Sequence, residues 1–463
     1  MKGRGSYVKI LLVNPSPTGT LKAVGVLFPP LGLLYLAAYM EKEGHQVVVR
    51  DLAVRKRQEE IDYKKFDIIG ISTDTTRHDQ ALRIAKKSKA NGCTVVMGGP
   101  HPCYVDEEIL STRKVDFIVR GEGEITFSEL VGTLEKNNGK FHTVQGISFF
   151  SSGELIRTPP RPFIENLDTL PLPARHLINM DDYRRTKLGD RDITPLITSR
   201  GCPYQCAFCS SSNFFGTRWR ARSVESVLNE IEEIYHHYHF KAVAFVDDLF
   251  TLFPKRVIEI CRGIVERKLD LWWWYLSRTD LLLRNEEMVK EMVRAGSKAV
   301  FIGVESSNPR TLEELKKGID VEGNVQSVEM LKRNGVEIHA SYILGGLHDT
   351  AKTIHETIRF AKRLDTNVAQ FSILTPFPGT AIYEQVRDRI FRWRGPWSFF
   401  DMQHLVFKHD HLSFIHLEWL LFKANLLYYT RSKRAIQDIW HFIKKHRLRV
   451  RTLFSFLKEY FWG

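Results

Sequence analysis

The chain has 463 residues, of which 43% are hydrophobic and 26% charged, with a formal net charge of +13. This composition excludes a disordered chain, and the length allows two to four domains that fold without covalent staples. Of six cysteines only Cys202, Cys206 and Cys209 cluster, which excludes a secreted disulfide framework and favours a metal site.

The opening segment MKGRGSYVKILLVN is basic, but its apolar run is short and no small-residue cleavage site follows. No signal peptide is expected, and the protein is placed in the cytoplasm. Residues 23–40 form the longest uncharged stretch, yet Gly25, Pro29, Pro30 and Gly32 interrupt it. This predicts a buried helix over 31–43 rather than a membrane span. Short apolar runs at 8–14, 46–51, 67–72, 94–98 and 117–119 predict buried parallel strands, and helical patterns lie between them at 31–43, 78–91 and 126–137. The expected architecture over residues 1–142 is a doubly wound, Rossmann-like sheet. Its ligands would sit at the carboxyl ends of the strands, where loops begin at Asn14, Thr73, Gly98 and Arg120.

Residues 143–192 read as a hairpin, VQGISFF-SSGE-LIRT, followed by a linker rich in proline at 159, 160, 162, 171 and 173. Residues 193–385 show a second alternation: PLITSR, AVAFVDD, LWWWYLS, AVFIGVE, EIHASYILG and VAQFSILTP, separated by helical patterns. Six such units predict an open, partial (β/α)6 barrel of the TIM type. Residues 386–463 are aromatic and basic, with helical stretches at 412–429 and 435–445, and nine Lys or Arg between 431 and 459 against Asp438 and Glu459.

The segment TSRGCPYQCAFCSSS spaces Cys202, Cys206 and Cys209 as C-x3-C-x2-C between a strand and a helix that starts near Ser223. So short a loop brings three thiolates onto one metal centre. Structural zinc takes four protein ligands. A 4Fe-4S cluster held by three cysteines leaves one iron open to a small molecule, whereas an electron carrier uses four.

This segment resembles the signature of the radical S-adenosylmethionine superfamily, in its spacing and in the aromatic Phe208 just before the third cysteine, and the resemblance covers nearly the whole chain. It implies that S-adenosylmethionine chelates the open iron through its amino and carboxylate groups. Asp247 and Asp248 stand where many relatives carry a Gly-Gly-Glu type motif for the methionine amine; this departure leaves the choice between them open, and Asp248 is carried forward as the candidate. Arg278 would pair the carboxylate, and Glu305 would reach the amine or ribose. Gly345 and Gly346 would let the backbone approach closely, and Pro376 in TPFPGT would wall the adenine side.

In the same superfamily a doubly wound domain ahead of the barrel either binds cobalamin or belongs to methylthiotransferases of transfer RNA, which carry three more cysteines. Only Cys93 and Cys103 are available here. PPLGLLYLAAYMEKEGH, GGPHP and VRGEGE instead resemble the cobalamin-binding members. The resemblance implies that Asn14, Thr75, Gly98, Gly99, Gly121, Glu122 and Gly123 line cobalamin. Members that ligate cobalt through histidine carry D-x-H-x-x-G after the first strand, where this chain has NPSPTG. Cobalt is therefore expected to have neither its own base nor a protein histidine on its lower face, to which Thr75, Arg77 and His78 are the nearest residues.

The implied chemistry is reductive cleavage of S-adenosylmethionine to a deoxyadenosyl radical and hydrogen abstraction from an unactivated carbon. Methyl transfer from methylcobalamin follows, or cyclisation or ring rearrangement without it. An external donor such as flavodoxin or ferredoxin would supply electrons. The architecture resembles anaerobic magnesium-protoporphyrin IX monomethyl ester cyclases and hopanoid-modifying enzymes, which implies a small apolar substrate of lipid or tetrapyrrole type. The cationic and aromatic tail suits either a peripheral contact with an anionic membrane surface or a solvated helical face packed on the barrel. Modification of nucleic acid is the competing reading, raised by the charge and by Trp272, Trp273 and Trp274. Consecutive residues in a strand alternate faces, so these rings cannot form one stacking surface.

Overall fold

The structure is a computed structural model and describes residues 8–17, 26–54, 60–136, 139–394 and 397–431. The basic tail and the helix expected at 435–445 lie outside the described residues. The first apolar run forms β1 (Lys9–Asn14), buried on both faces as a central parallel strand must be. Pro29 and Pro30 end the preceding loop, and α1 (Leu31–Lys42) starts directly after them. Then follow β2 (Gln46–Asp51), β3 (Ile68–Ser72), α2 (His78–Ala90), β4 (Thr94–Gly98), α3 (Asp106–Ser111), β5 (Phe117–Val119) and α4 (Gly123–Glu135). The strand order is β2-β1-β3-β4-β5, all parallel. Its two faces are covered by separate apolar cores, one under α1 and α4, the other under α2 and α3.

Two details differ from the sequence reading. The last helix begins at Gly123 rather than at residue 126, because Glu122 is already an extended N-cap and a glycine in the first turn costs little there. The hairpin, β6 (Ile147–Ser151) and β7 (Glu154–Arg157), is not free-standing. It adds two antiparallel strands to the edge of the first sheet through β5, which extends that sheet to Arg157.

The second sheet has the order β16-β15-β14-β13-β12-β9-β8. Its antiparallel edge strand is β8 (Lys187–Leu188), and β9 (Arg191–Leu196) begins the parallel series. Between β9 and the next sheet strand lie β10 (Ser199–Arg200), α5 (Ser211–Phe215), β11 (Arg220–Ala221) and α6 (Val224–Glu232). The remaining strands are β12 (Ala242–Phe245), β13 (Trp272–Ser277), β14 (Ser297–Glu305), β15 (Glu337–Leu344) and β16 (Val368–Ile373). Helices α7 (Pro254–Glu266), α8 (Thr279–Leu283), α9 (Glu286–Arg294), α10 (Pro309–Glu314), α11 (Val321–Arg333), α12 (Ala351–Leu364) and α13 (Ala381–Val386) are interleaved with them. The final α14 (Phe414–Tyr429) packs on α12 and β16. Six parallel strands thus make the half-barrel that the six apolar runs predict. Trp273 points outward into the helix layer and donates to the Ala295 carbonyl at 3.0 Å, while Trp272 and Trp274 face the opposite way. The three rings therefore do not lie on one face.

Alternation also puts His339 of β15 on the concave side, between Ile338 and Ala340 of the outer core. Burial pulls its imidazole down to about 4. The unfolded chain therefore binds the extra proton first as pH falls. This contribution to stability is complete above the ordinary value of 6.5 and is lost as pH drops toward 4. His339→Gln should reduce the acid-side loss of stability by roughly 2 kcal/mol, read from urea midpoints at pH 7 and pH 4.5. Parallel pH profiles for the two proteins would refute it.

Candidate active site

The cysteine loop leaves the barrel because of Asp247. This carboxylate, 1% exposed at the end of β12, accepts from the Thr198 amide at 2.6 Å and from the Ser199 hydroxyl at 2.7 Å. These bonds turn the chain out of the sheet after Leu196, so Ser199 and Arg200, read from sequence as part of the strand, form β10. That strand pairs antiparallel with β11, with Arg200 opposite Arg220, and the two close the neck of the loop at 201–219. Gly201 has φ +89°, and a Cβ there would lie 2.4 Å from the Arg218 carbonyl. Farther along, the Ala207 amide donates to the Leu315 carbonyl at 2.9 Å, and the Ile382 amide donates to the Ala207 carbonyl at 3.0 Å. The loop is therefore held by elements that follow β14 and β16.

Cys202, Cys206 and Cys209 are free and half-buried. Burial pushes the Cys202 thiol up to about 11, with Cys209, Asp248 and Cys206 adding to the shift. Burial also raises Cys206, against the pull of Lys317 and Arg278. Loading a metal centre on this loop must therefore displace the protons that burial favours on Cys202 and Cys206. Among the described residues no three His, Cys, Asp or Glu side chains close round a single-ion site. The donor set, three soft thiols beside two cations, suits an anionic iron-sulfur cluster.

Around the loop the structure gathers the residues expected to face S-adenosylmethionine. Of the two neighbouring aspartates, Asp247 is spent on the backbone turn, whereas Asp248 meets Ser211 and the Gly201 amide and acts on Cys202. Burial raises its carboxyl. Arg278, buried, lies 3.6 Å over the Tyr204 ring and donates to the Lys317 carbonyl at 2.8 Å and to Asp280 at 3.0 Å. Glu305 sits at a bulge ending β14 with φ +63°, and its carboxylate meets the Lys317 ammonium at 2.7 Å. Both are buried, at 3% and 8% exposure. Burial lowers Lys317, but Glu305 and the Cys206 thiol hold it above its usual range. A Cβ on Gly303 would lie 2.1 Å from Glu305 Oε1, so this glycine makes room for the pair. Lys317 and Gly303 escaped the sequence reading, since KKG after a helix reads as a solvated turn. Phe208 packs beside Leu315, Ile343, Leu374 and Ile382.

Two positions serve the protein itself. A Cβ on Gly345 would meet Leu417 of α14 at 2.5 Å, and the Gly345 and Gly346 amides both donate to Asp349. Their missing side chains admit a helix and a carboxylate of this chain. The turn carrying the buried Pro376 closes on the first domain, where a Cβ on Gly379 would lie 2.5 Å from the Tyr104 ring.

At the strand ends of the first sheet, Asn14 donates to Asp51 and accepts from Arg77, each at 2.8 Å. Thr75 is buried in the short turn behind them. Gly99 is needed for closure of the β3 and β4 ends, because a Cβ there would lie 2.6 Å from the Thr73 carbonyl, whereas a Cβ on Gly98 would come no nearer than 3.4 Å, to the Val119 carbonyl. Gly121, with φ +76°, has nothing within 4 Å of its Cβ position, and Gly123 only Val119 at 3.9 Å. This side is open to a ligand. His78 and His101 lie edge to face at 4.8 Å, both 2% exposed, with Trp397 against His101 at 4.8 Å. Among the described residues, His78 Nδ1 and both ring nitrogens of His101 have no partner. Buried polar atoms are normally paired, and a corrin bordered by amides fits such a site. Glu122, expected to touch that ligand, instead spends both carboxylate oxygens on Arg200, Arg220 and the Ile164 amide.

Two family patterns cover these regions: a B12 binding domain over residues 17–131 and the radical SAM superfamily over 196–361. An uncharacterized methyltransferase of Pyrococcus horikoshii is 38% identical over 455 residues, 96% of this chain and 97% of that one. The chain belongs to the cobalamin-binding radical S-adenosylmethionine methyltransferase family. This radical enzyme is also 28% identical to the anaerobic magnesium-protoporphyrin IX monomethyl ester cyclase of Rubrivivax gelatinosus, over 83% of this chain and 71% of that one. To the hopanoid C-3 methylase of Methylococcus capsulatus it is 29% identical, over 86% and 76% respectively. Its fold matches the radical S-adenosylmethionine methyltransferase TsrM from Kitasatospora setae, solved with cobalamin and a [4Fe-4S] cluster, with TM-score 0.69 and 21% identity over 83% of this chain and 75% of that one. The cofactors of the family are thus a 4Fe-4S cluster, S-adenosylmethionine and cobalamin. No helix among the described residues is long and apolar enough to cross a membrane.

Proposed function

We propose that this enzyme methylates an unactivated carbon of a small apolar substrate of lipid or tetrapyrrole type. The observation that carries the reading is the 38% identity, along both domains, to a chain named a methyltransferase. The substrate class is supported by the names of the hopanoid methylase and the porphyrin cyclase. When bound, the cluster supplies the electron that cleaves S-adenosylmethionine, and cobalamin supplies a transferable methyl group.

The chain's own residues hold and orient these groups. Cys202, Cys206 and Cys209 ligate the cluster. Asp248 and Glu305 take the methionine amine and ribose, Arg278 takes the carboxylate, and Phe208 and Pro376 flank the adenine. Gly121 and Gly123 leave room for the corrin beside Asn14, Thr75, Gly98 and Gly99. The turn at Gly379 packs against Tyr104 of the first domain and keeps the barrel rim close to it. Contact with a membrane that stores such substrates would involve the outer face of α14, where Ile415, Trp419 and Leu426 are 67%, 53% and 49% exposed.

The test is anaerobic incubation of the protein carrying both cofactors with a reductant, S-adenosylmethionine and apolar extracts of its host. Deoxyadenosine, S-adenosylhomocysteine and a product heavier by one methylene are expected. Deoxyadenosine with a new product but no S-adenosylhomocysteine would replace methyl transfer by cyclisation or rearrangement.

A further inference from the structure

Arg200 and Arg220 face each other across the clasp that closes the cysteine loop, one just before Cys202 and the other just after Trp219. Both belong to the barrel, yet both reach out of it to a single carboxylate of the first domain. Glu122 Oε1 accepts from Arg200 Nη1 and Arg220 Nη1 at 2.9 Å, and Oε2 accepts from Arg220 Nη1 at 2.9 Å and from the Ile164 amide at 2.7 Å. Arg200 makes a second bond, through Nη2, to Glu124 at 2.6 Å. These side chains are at most 7% exposed, so water neither screens nor replaces the bonds. Planar guanidiniums fix direction as well as distance. Glu122 lies between Gly121 and Gly123, the two glycines whose missing side chains leave the strand ends open.

We infer that Glu122 is a positioning residue that registers the cluster loop against the corrinoid-binding loop, so that the two cofactors keep one fixed relation. One carboxylate holds both ends of the loop that carries the three cysteines, and its own backbone is part of the opposing site. Any displacement of the β5 end is passed to the neck of the cluster loop, and the reverse. This inference rests on the reading that the first domain binds cobalamin.

The test uses full-length protein loaded with both cofactors. The electron paramagnetic resonance lines of cob(II)alamin are recorded with the cluster oxidised and then reduced to its paramagnetic form. In the parent, cluster reduction should broaden the cobalt lines by one reproducible amount. In Glu122→Gln the broadening should be lost or spread over many widths, at unchanged iron and cobalamin content. Glu124→Gln removes the charge of one Arg200 partner, keeps an acceptor oxygen for it and leaves Glu122 in place, so it should keep the parental broadening. A parental line shape in Glu122→Gln overturns the inference. An equal change in Glu124→Gln overturns it too, because the network would then act through stability alone. If Glu122→Gln does not fold, Glu122→Asp, shortened by one methylene, is read by the same two outcomes. Parent protein that retains no cobalamin defeats the underlying reading instead, before any variant is compared.

Discussion

Cys206→Ala should yield a folded protein that carries no iron-sulfur chromophore and cleaves S-adenosylmethionine only at the uncatalysed background. A half-buried thiol contributes little to folding, so stability should change by no more than about 1 kcal/mol. The loop would keep its shape, because its anchors are backbone bonds of Ala207 to Leu315 and Ile382 and the clasp at Arg200 and Arg220. Cluster binding, by contrast, has no spare donor. Cys93 and Cys261 are buried in the cores of the two domains, and Cys103 is committed to the Gly99 carbonyl and the Gly121 amide. Iron analysis, the visible spectrum and deoxyadenosine formation together check the prediction. A Cys206→Ala protein that retains a full cluster would remove Cys206 from the ligand set.

Lys317→Met should have the second largest effect, and on two quantities at once. Glu305 would be left as an unpaired carboxylate at 3% exposure, on a backbone already in the left-handed region. Breaking a buried pair in this way costs about 3–5 kcal/mol. The double variant Lys317→Met with Glu305→Gln removes both charges and should regain much of that stability. It should not regain affinity for S-adenosylmethionine, because the charged side of Glu305 is then gone. Loss of one charge-assisted contact corresponds to weakening of about tenfold or more. A double-mutant cycle in melting temperature, set beside calorimetric binding of S-adenosylmethionine, separates the two effects. Equal affinity in all four proteins would show that the pair only shapes the β14 bulge.

The same residues show what could be read from the chain alone. Apolar runs of strand length, separated by helical periods, determined which segments form the parallel strands of both sheets, because buried parallel strands carry their own hydrophobic record, whereas their spatial order is seen only in the structure. The spacing of Cys202, Cys206 and Cys209 determined the position of the cluster loop, since ligands within eight residues are brought together by local geometry. The choice between Asp247 and Asp248 was not legible. It depends on which carboxylate the Thr198 amide reaches, 49 residues earlier in the chain. Lys317 was hidden because its partner lies beyond a bulge, and a bulge leaves no period in the sequence. Glu122 looked like part of a glycine-rich ligand loop, and Arg200 and Arg220, 78 and 98 residues away, give it another task. Sequence determined the elements and the loop that bears the chemistry, because both are local. Only the tertiary structure decided which buried charges pair across the two domains, since that is set by where separate segments meet.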